Sequence, residues 1–138
     1  MMSSALRNRY LGDAVTTASP GRLLVMLYER LVRDLTQAET ALRADDRQAG
    51  SAQLIHAQDI ILELRTSLNT DAWDGAGRLA GIYGFLLTEL IAANVNGDAD
   101  RVASARGLVV PLLEAWQGAL TIVEQPAGPK PAVKAQVA

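Results

Sequence analysis

The sequence predicts an all-α protein, an antiparallel up-down four-helix bundle, and three observations carry that expectation. Four stretches of the chain repeat apolar residues every three to four positions. The second stretch is spaced three, four, three, four at Leu54, Ala57, Ile61, Leu64 and Leu68. This is the seam spacing of helices that cross at small angles. The polar connection after the third stretch is short, and short connections imply antiparallel neighbours. The expected parts are an N-terminal lead-in over 1–18, the bundle over 19–123 and a Pro-rich tail over 124–138.

In the lead-in, Leu6, Tyr10 and Val15 are spaced like anchors of a segment that drapes over the bundle. A frayed terminus is the plainer reading. Helix one begins at Ser19-Pro20, an N-cap residue followed by a residue suited to the first helical position. Its apolar face runs Leu23, Leu24, Leu27, Tyr28, Leu31, Leu35, Ala38, Leu42. Asp45 and Asp46 end it and start the next helix.

Helix two is expected over 47–68. Ile55 and Leu62, seven apart, lie beside its seam. The stretch "NTDAWDGAG" is a loop, with Trp73 expected to plug one end of the bundle or, alternatively, to stack on a ligand.

Helix three is expected over 76–95 with two apolar stripes. One is Leu79, Ile82 or Tyr83, Leu86, Leu90 and Ala93; the other is Ala80, Gly84, Leu87, Ile91 and Val95. Such a helix is either central in the bundle or covered by a partner. Gly97 suits the left-handed position that ends it, and Asp98 suits the cap of helix four.

Helix four, over 99–123, carries Val102, Ala105, Val109, Leu112, Trp116, Leu120 and Val123 on one stripe. Pro111 interrupts that stripe and predicts a kink or break after Gly107, because proline removes a backbone donor and crowds the preceding turn. The tail, with Pro126, Pro129 and Pro131, is expected to be disordered.

Composition narrows the function. The 138 residues are 49% hydrophobic and 20% charged, with net charge −2 and no Cys. Such a chain is globular, and its modest charge fits either an apolar surface kept for a partner or a slightly greasy core. Acids and bases are interspersed, which disfavours nucleic acid. No run approaches the ~18–20 apolar residues of a membrane span, and the N-terminus lacks the apolar run of a signal peptide. The expectation is a soluble, cytoplasmic protein.

Catalytic equipment is missing. The one His, His56, follows Gln53 rather than Glu at the spacing di-metal bundles use, and reads as a partly exposed polar residue. Gly75, Gly77, Gly81 and Gly84 match neither nucleotide-binding spacing. Paired acids at helix starts are explained by the helix dipole. No enzyme activity, cofactor or metal is expected.

Ile55 and Leu62 with Leu87 and Ile91 exceed what one core stripe needs. Side by side they would form a groove for an amphipathic helix, with Gln58 and Asn94 able to hydrogen-bond a partner's backbone. The plainer alternative is that helix three is central and both stripes are core.

Tyr10, then Val15-Thr16-Thr17-Ala18-Ser19-Pro20, "LLVMLYERLVRDL", "HAQDIILELRTSLN", "IYGFLLTELIAANVNGD" and "LLEAWQGAL", in that order, resemble the flagellar secretion chaperone family, FliS. The resemblance implies a four-helix bundle that binds newly made flagellin in the cytoplasm. It implies that the disordered C-terminal segment of flagellin lies in apolar grooves outside the bundle. Premature polymerisation is thereby prevented and the subunit is delivered to the flagellar type III export gate. It also implies that the N-terminal segment, here Leu6, Tyr10 and Val15, covers part of the groove in the absence of flagellin. Positions matching the family pattern are Tyr10, Gln58, Ile60, Ile61, Tyr83, Leu90 and Asn94.

Resemblance and geometry together put Ile55, Gln58, Leu62, Tyr83, Leu87, Leu90, Ile91 and Asn94 in the groove, Leu62 on geometry alone. The chain departs from the family pattern at Arg30 and Leu31 after Glu29, at Gly21-Arg22 after Pro20, at Pro111 and in the tail. The competing expectation is a homodimeric helical scaffold without a client. Between them lies the oligomeric state, monomer or weak dimer.

Overall fold

The computed structural model describes residues 19–123. They form four helices: α1 (Pro20–Arg43), α2 (Arg47–Ser67), α3 (Ala76–Asn96) and α4 (Ala99–Val123). The lead-in with Leu6, Tyr10 and Val15, and the tail, lie outside the described residues.

Local chemistry sets the helix ends. Ser19 Oγ accepts from the backbone N–H of Arg22 at 3.1 Å, and Pro20 occupies the first turn. Asp46 caps α2 by accepting from Ala49 N–H at 3.0 Å, while Asp45 takes the left-handed conformation at φ 62°. Acidic and amide residues tolerate that region better than bulkier ones. Gly97 ends α3 at φ 63° and donates to the Ala93 carbonyl. Asp98 then caps α4 through Arg101 N–H at 3.0 Å.

Two arginines bridge the helices at one end of the bundle. Arg43, ending α1, pairs with Asp100 at the start of α4 at 2.9 Å. Arg47, starting α2, donates to the carbonyls of Asn94 and Val95 at the end of α3, both at 3.1 Å. The Arg47 guanidinium lies where a Cβ on residue 97 would meet it at 2.9 Å, so a side chain there would have to displace it, while the φ of Gly97 favours glycine on its own. The helices close a ring: α1 packs against α2 and α4, and α3 packs against the same two.

The core follows the predicted stripes except at the end of the fourth, where Val123 is exposed. Leu31, Leu35, Ala38 and Leu42 of α1 meet Leu54, Ala57, Ile61 and Leu64 of α2, Leu79, Leu86, Leu90 and Ala93 of α3, and Val102, Ala105 and Val109 of α4. Each large aliphatic side chain so buried contributes ~1.5–3 kcal/mol relative to exposure. Ile60, off the predicted seam, is buried as well. Across the middle, the Tyr28 and Tyr83 hydroxyls hydrogen-bond at 2.5 Å. Burial raises the pKa of both phenols, so the pair is a neutral polar contact inside an apolar core. The Trp116 ring meets Tyr28 edge-on, with ring centres 6.3 Å apart.

The expected break at Pro111 and the expected place of Trp73 are corrected. α4 runs unbroken through Pro111. Trp73 does not plug the bundle: it is exposed, and its ring folds over Gly75, where any Cβ would collide with it.

A candidate client groove on the second and third helices

Periodicity builds the site. On α2, Ile55 and Leu62 fall two turns apart on a side the core stripe does not use. Ile55 is 52% exposed and Leu62 40% exposed. On α3, Ile91 is 51% exposed, while Leu87 is half-buried and packs against the core from its edge. The register set by Arg47 against Asn94 and Val95 brings Ile55 level with Leu87. The four side chains therefore form a strip along the α2–α3 seam, which exposed Val95 prolongs. Gln58 and Asn94 are half-buried, and neither side-chain amide has a hydrogen-bond partner among the described residues. They remain available to a partner's backbone.

Tyr83 and Leu90 do not belong to this strip. Tyr83 holds Tyr28 across the bundle, and Leu90 is wholly buried. Both lie buried on the core stripe of α3, roughly 80–140° around the helix from Ile91 and Val95, so no bound chain can reach them without opening the bundle. The resemblance drew them into the groove, whereas their helical spacing had already placed them inside.

The outward face of α3 is unusual in a water-exposed helix. The helix carries only Arg78 and Glu89 as charged residues. Between them and beyond, the outer side presents Gly81, Thr88, Ile91 and Val95 to solvent. By length and composition α3 could cross a membrane, yet only 28% of its most apolar stretch is buried in the bundle. A helix with one face in a core and the other apolar in water keeps more apolar surface than solvent favours.

Reading by apolar spacing missed one buried feature entirely. Asp34 of α1 has no solvent exposure, and its carboxylate is held by Arg30 at 3.1 Å and by Nδ1 of half-exposed His56 on α2. A buried carboxylate is tolerated only with such partners. The pair crosses from α1 to α2, with His56 about 100° around α2 from Ile55, and serves the α1–α2 packing. Exposed Phe85 and Leu108 were also not anticipated; they belong to neither stripe assigned to their helices. Among the described residues, no cluster of three His, Asp or Glu could hold a metal.

Comparison with known proteins bears on this surface. The family model described as flagellar protein FliS matches residues 2–123. The flagellar secretion chaperone FliS of Bacillus subtilis is 31% identical over 84% of this chain and 89% of its own length. That of Escherichia coli is 27% identical over 78% of this chain and 81% of its own. A bacterial flagellar chaperone of known crystal structure superposes with a TM-score of 0.69 at 22% identity, covering 84% of this chain and 95% of the other, and supports the fold. A match over nearly all of the helical region, together with the bundle it predicts, shows that this chain belongs to the FliS family of flagellar secretion chaperones, a family of chaperones and not of enzymes.

Proposed function

We propose that this protein binds the C-terminal segment of flagellin in the cytoplasm, prevents its premature polymerisation and delivers it to the flagellar type III secretion apparatus. The observation that carries the reading is the apolar strip of exposed Ile55, Leu62 and Ile91 with half-buried Leu87, beside the Gln58 and Asn94 amides, which have no hydrogen-bond partner among the described residues. An amphipathic helix laid along the strip would bury its apolar side chains between α2 and α3. Gln58 and Asn94 would take backbone groups where the bound chain is not helical. In flagellin-free protein, the lead-in with Leu6, Tyr10 and Val15 would cover the same strip.

The test is light scattering on a sizing column, with and without a flagellin C-terminal peptide. A monomer that forms a 1:1 complex supports the reading. A stable dimer indifferent to the peptide would replace it with a scaffold whose spare apolar faces meet a second copy.

A further inference from the structure

Two places in the chain put a glycine directly after an aspartate or an asparagine: Asp74-Gly75 and Asn96-Gly97. Such pairs can cyclise. The glycine nitrogen attacks the side-chain carbonyl carbon of the residue before it and closes a five-membered succinimide. Water leaves from aspartate, ammonia from asparagine. A water molecule then opens the ring at either carbonyl, giving aspartate or isoaspartate. In isoaspartate the main chain runs through the side-chain carbon and is longer by one atom. Glycine favours the reaction because no side chain shields its nitrogen and its backbone turns freely. In an unstructured chain the asparagine pair reacts first, since a neutral amide is a better electrophile than an ionised carboxylate.

The fold reverses that order. Asn96 is the last residue of α3, and its side-chain amide donates to the Ala92 carbonyl at 3.0 Å. The Gly97 nitrogen, which would have to attack, donates its N–H to the Ala93 carbonyl. Asp98 N–H donates to the same carbonyl at 2.9 Å, so the peptide links on both sides of Gly97 are fixed. Closing the ring would take Asn96 out of its helical backbone angles and break these bonds together. The Arg47 guanidinium, held by the Asn94 and Val95 carbonyls, also packs on Gly97.

Asp74 and Gly75 have no such restraint. They lie in the loop between α2 and α3. Asp74 is exposed, and its carboxyl makes no hydrogen bond or ion pair among the described residues. The Gly75 N–H has no acceptor there either. The Trp73 ring lies against Gly75 where a Cβ would stand, which favours the glycine that the reaction needs.

We infer that Asp74-Gly75 is a site of spontaneous covalent modification in the folded chain, forming isoaspartate through the succinimide, while the end of α3 keeps Asn96-Gly97 from deamidating. The added main-chain atom falls between Trp73 and Ala76. Ala76 N–H donates to the Trp73 carbonyl at 3.1 Å in the turn that opens α3, and the longer chain cannot keep that turn. The modification loosens the loop and the first turn of α3 and leaves the turn at 97–98 unchanged.

The experiment ages the full chain in warm neutral buffer, folded and in guanidinium chloride, and maps its peptides by mass spectrometry. Isoaspartate is located by enzymatic methylation with a protein isoaspartate methyltransferase, and deamidation of Asn96 by the mass gained when an amide becomes an acid. In the folded chain, isoaspartate is expected to accumulate at residue 74 while Asn96 stays intact. In denaturant, Asn96 should change first. Asp74→Glu, which would have to close a six-membered ring and does so reluctantly, should lose the methylation signal of the folded chain while melting as the natural chain does. The inference is overturned if folded protein loses Asn96 before residue 74 changes, if residue 74 forms no isoaspartate in the folded chain, or if Asp74→Glu keeps the signal.

Discussion

The helices α1 and α3 lie diagonally across the bundle and bury comparable stripes, yet they treat water in opposite ways. The outer side of α1 carries Arg22, Glu29, Arg30, Arg33, Glu39 and Arg43. Several of these are tied down: Arg43 to Glu39 and Asp100, Glu39 also to Arg106, Arg30 to Asp34. The outer side of α3 presents glycine, threonine and aliphatic side chains. The first helix is finished by solvent and by α4. The third is left with apolar surface on both flanks, which is unfavourable alone and becomes useful when a chain covers it.

The sharpest break of this comparison uses neighbours on α3. Leu90→Ala should cost ~2–5 kcal/mol in urea unfolding, because it empties a buried site. Ile91→Asp, one residue on, should alter stability by less than ~1 kcal/mol while weakening flagellin-peptide binding at least tenfold. If Ile91→Asp unfolds the chain, the outer face of α3 is core and the comparison collapses.

A second test addresses the polar interior of α1. His56→Ala should destabilise by ~1–3 kcal/mol, because Asp34 keeps Arg30 but loses a buried hydrogen bond. The double substitution of Asp34 and His56 by Leu should recover most of that loss. If the double variant is the least stable, the pair contributes more than it costs to bury. Leu62→Asp belongs next: a stability change within ~1 kcal/mol and loss of peptide binding are expected, judged by melting and by titration.

The smallest effect concerns the charged side of α1. Hydrogen bonds from Arg43 and Arg106 hold the Glu39 carboxyl below its ordinary pKa. Its folded value is therefore under its unfolded value. The contribution is present above the ordinary carboxylate range and fades as pH falls through the lowered value. Glu39→Gln should cost only ~0.5 kcal/mol at neutral pH, and should flatten the acid side of the stability curve. Urea midpoints at neutral and acid pH compare the two chains.

The sequence made most of the fold legible because helical spacing is a direct record of which side is buried. Leu31, Leu35, Ala38 and Leu42 were predicted as core and are core. The caps at Ser19, Asp46, Gly97 and Asp98 were equally readable, since each residue type has a backbone reason to be there. Asp34 was not, because a lone acid between apolar positions gives no sign of whether distant partners will accompany it inward. His56 supplies that partner from a different helix. Tyr83 and Leu90 show the opposite failure: a family motif marks positions that matter, but does not say whether they matter as surface or as filling. Pro111 shows that a proline inside an apolar stripe need not end the helix.

The turns at residues 44–46 and 97–98 carry one more consequence. Each joins helices that pack on one another, so α1 with α2 and α4 with α3 are hairpins whose contacts are near in sequence. Little loop entropy has to be lost before such contacts form, and chains rich in them fold in microseconds to milliseconds. Both hairpins turn at the end where Arg43 meets Asp100 and Arg47 meets α3. The order of assembly should therefore run from that end toward the loop at 68–75, leaving the opening beside Ser19 as the last part to close.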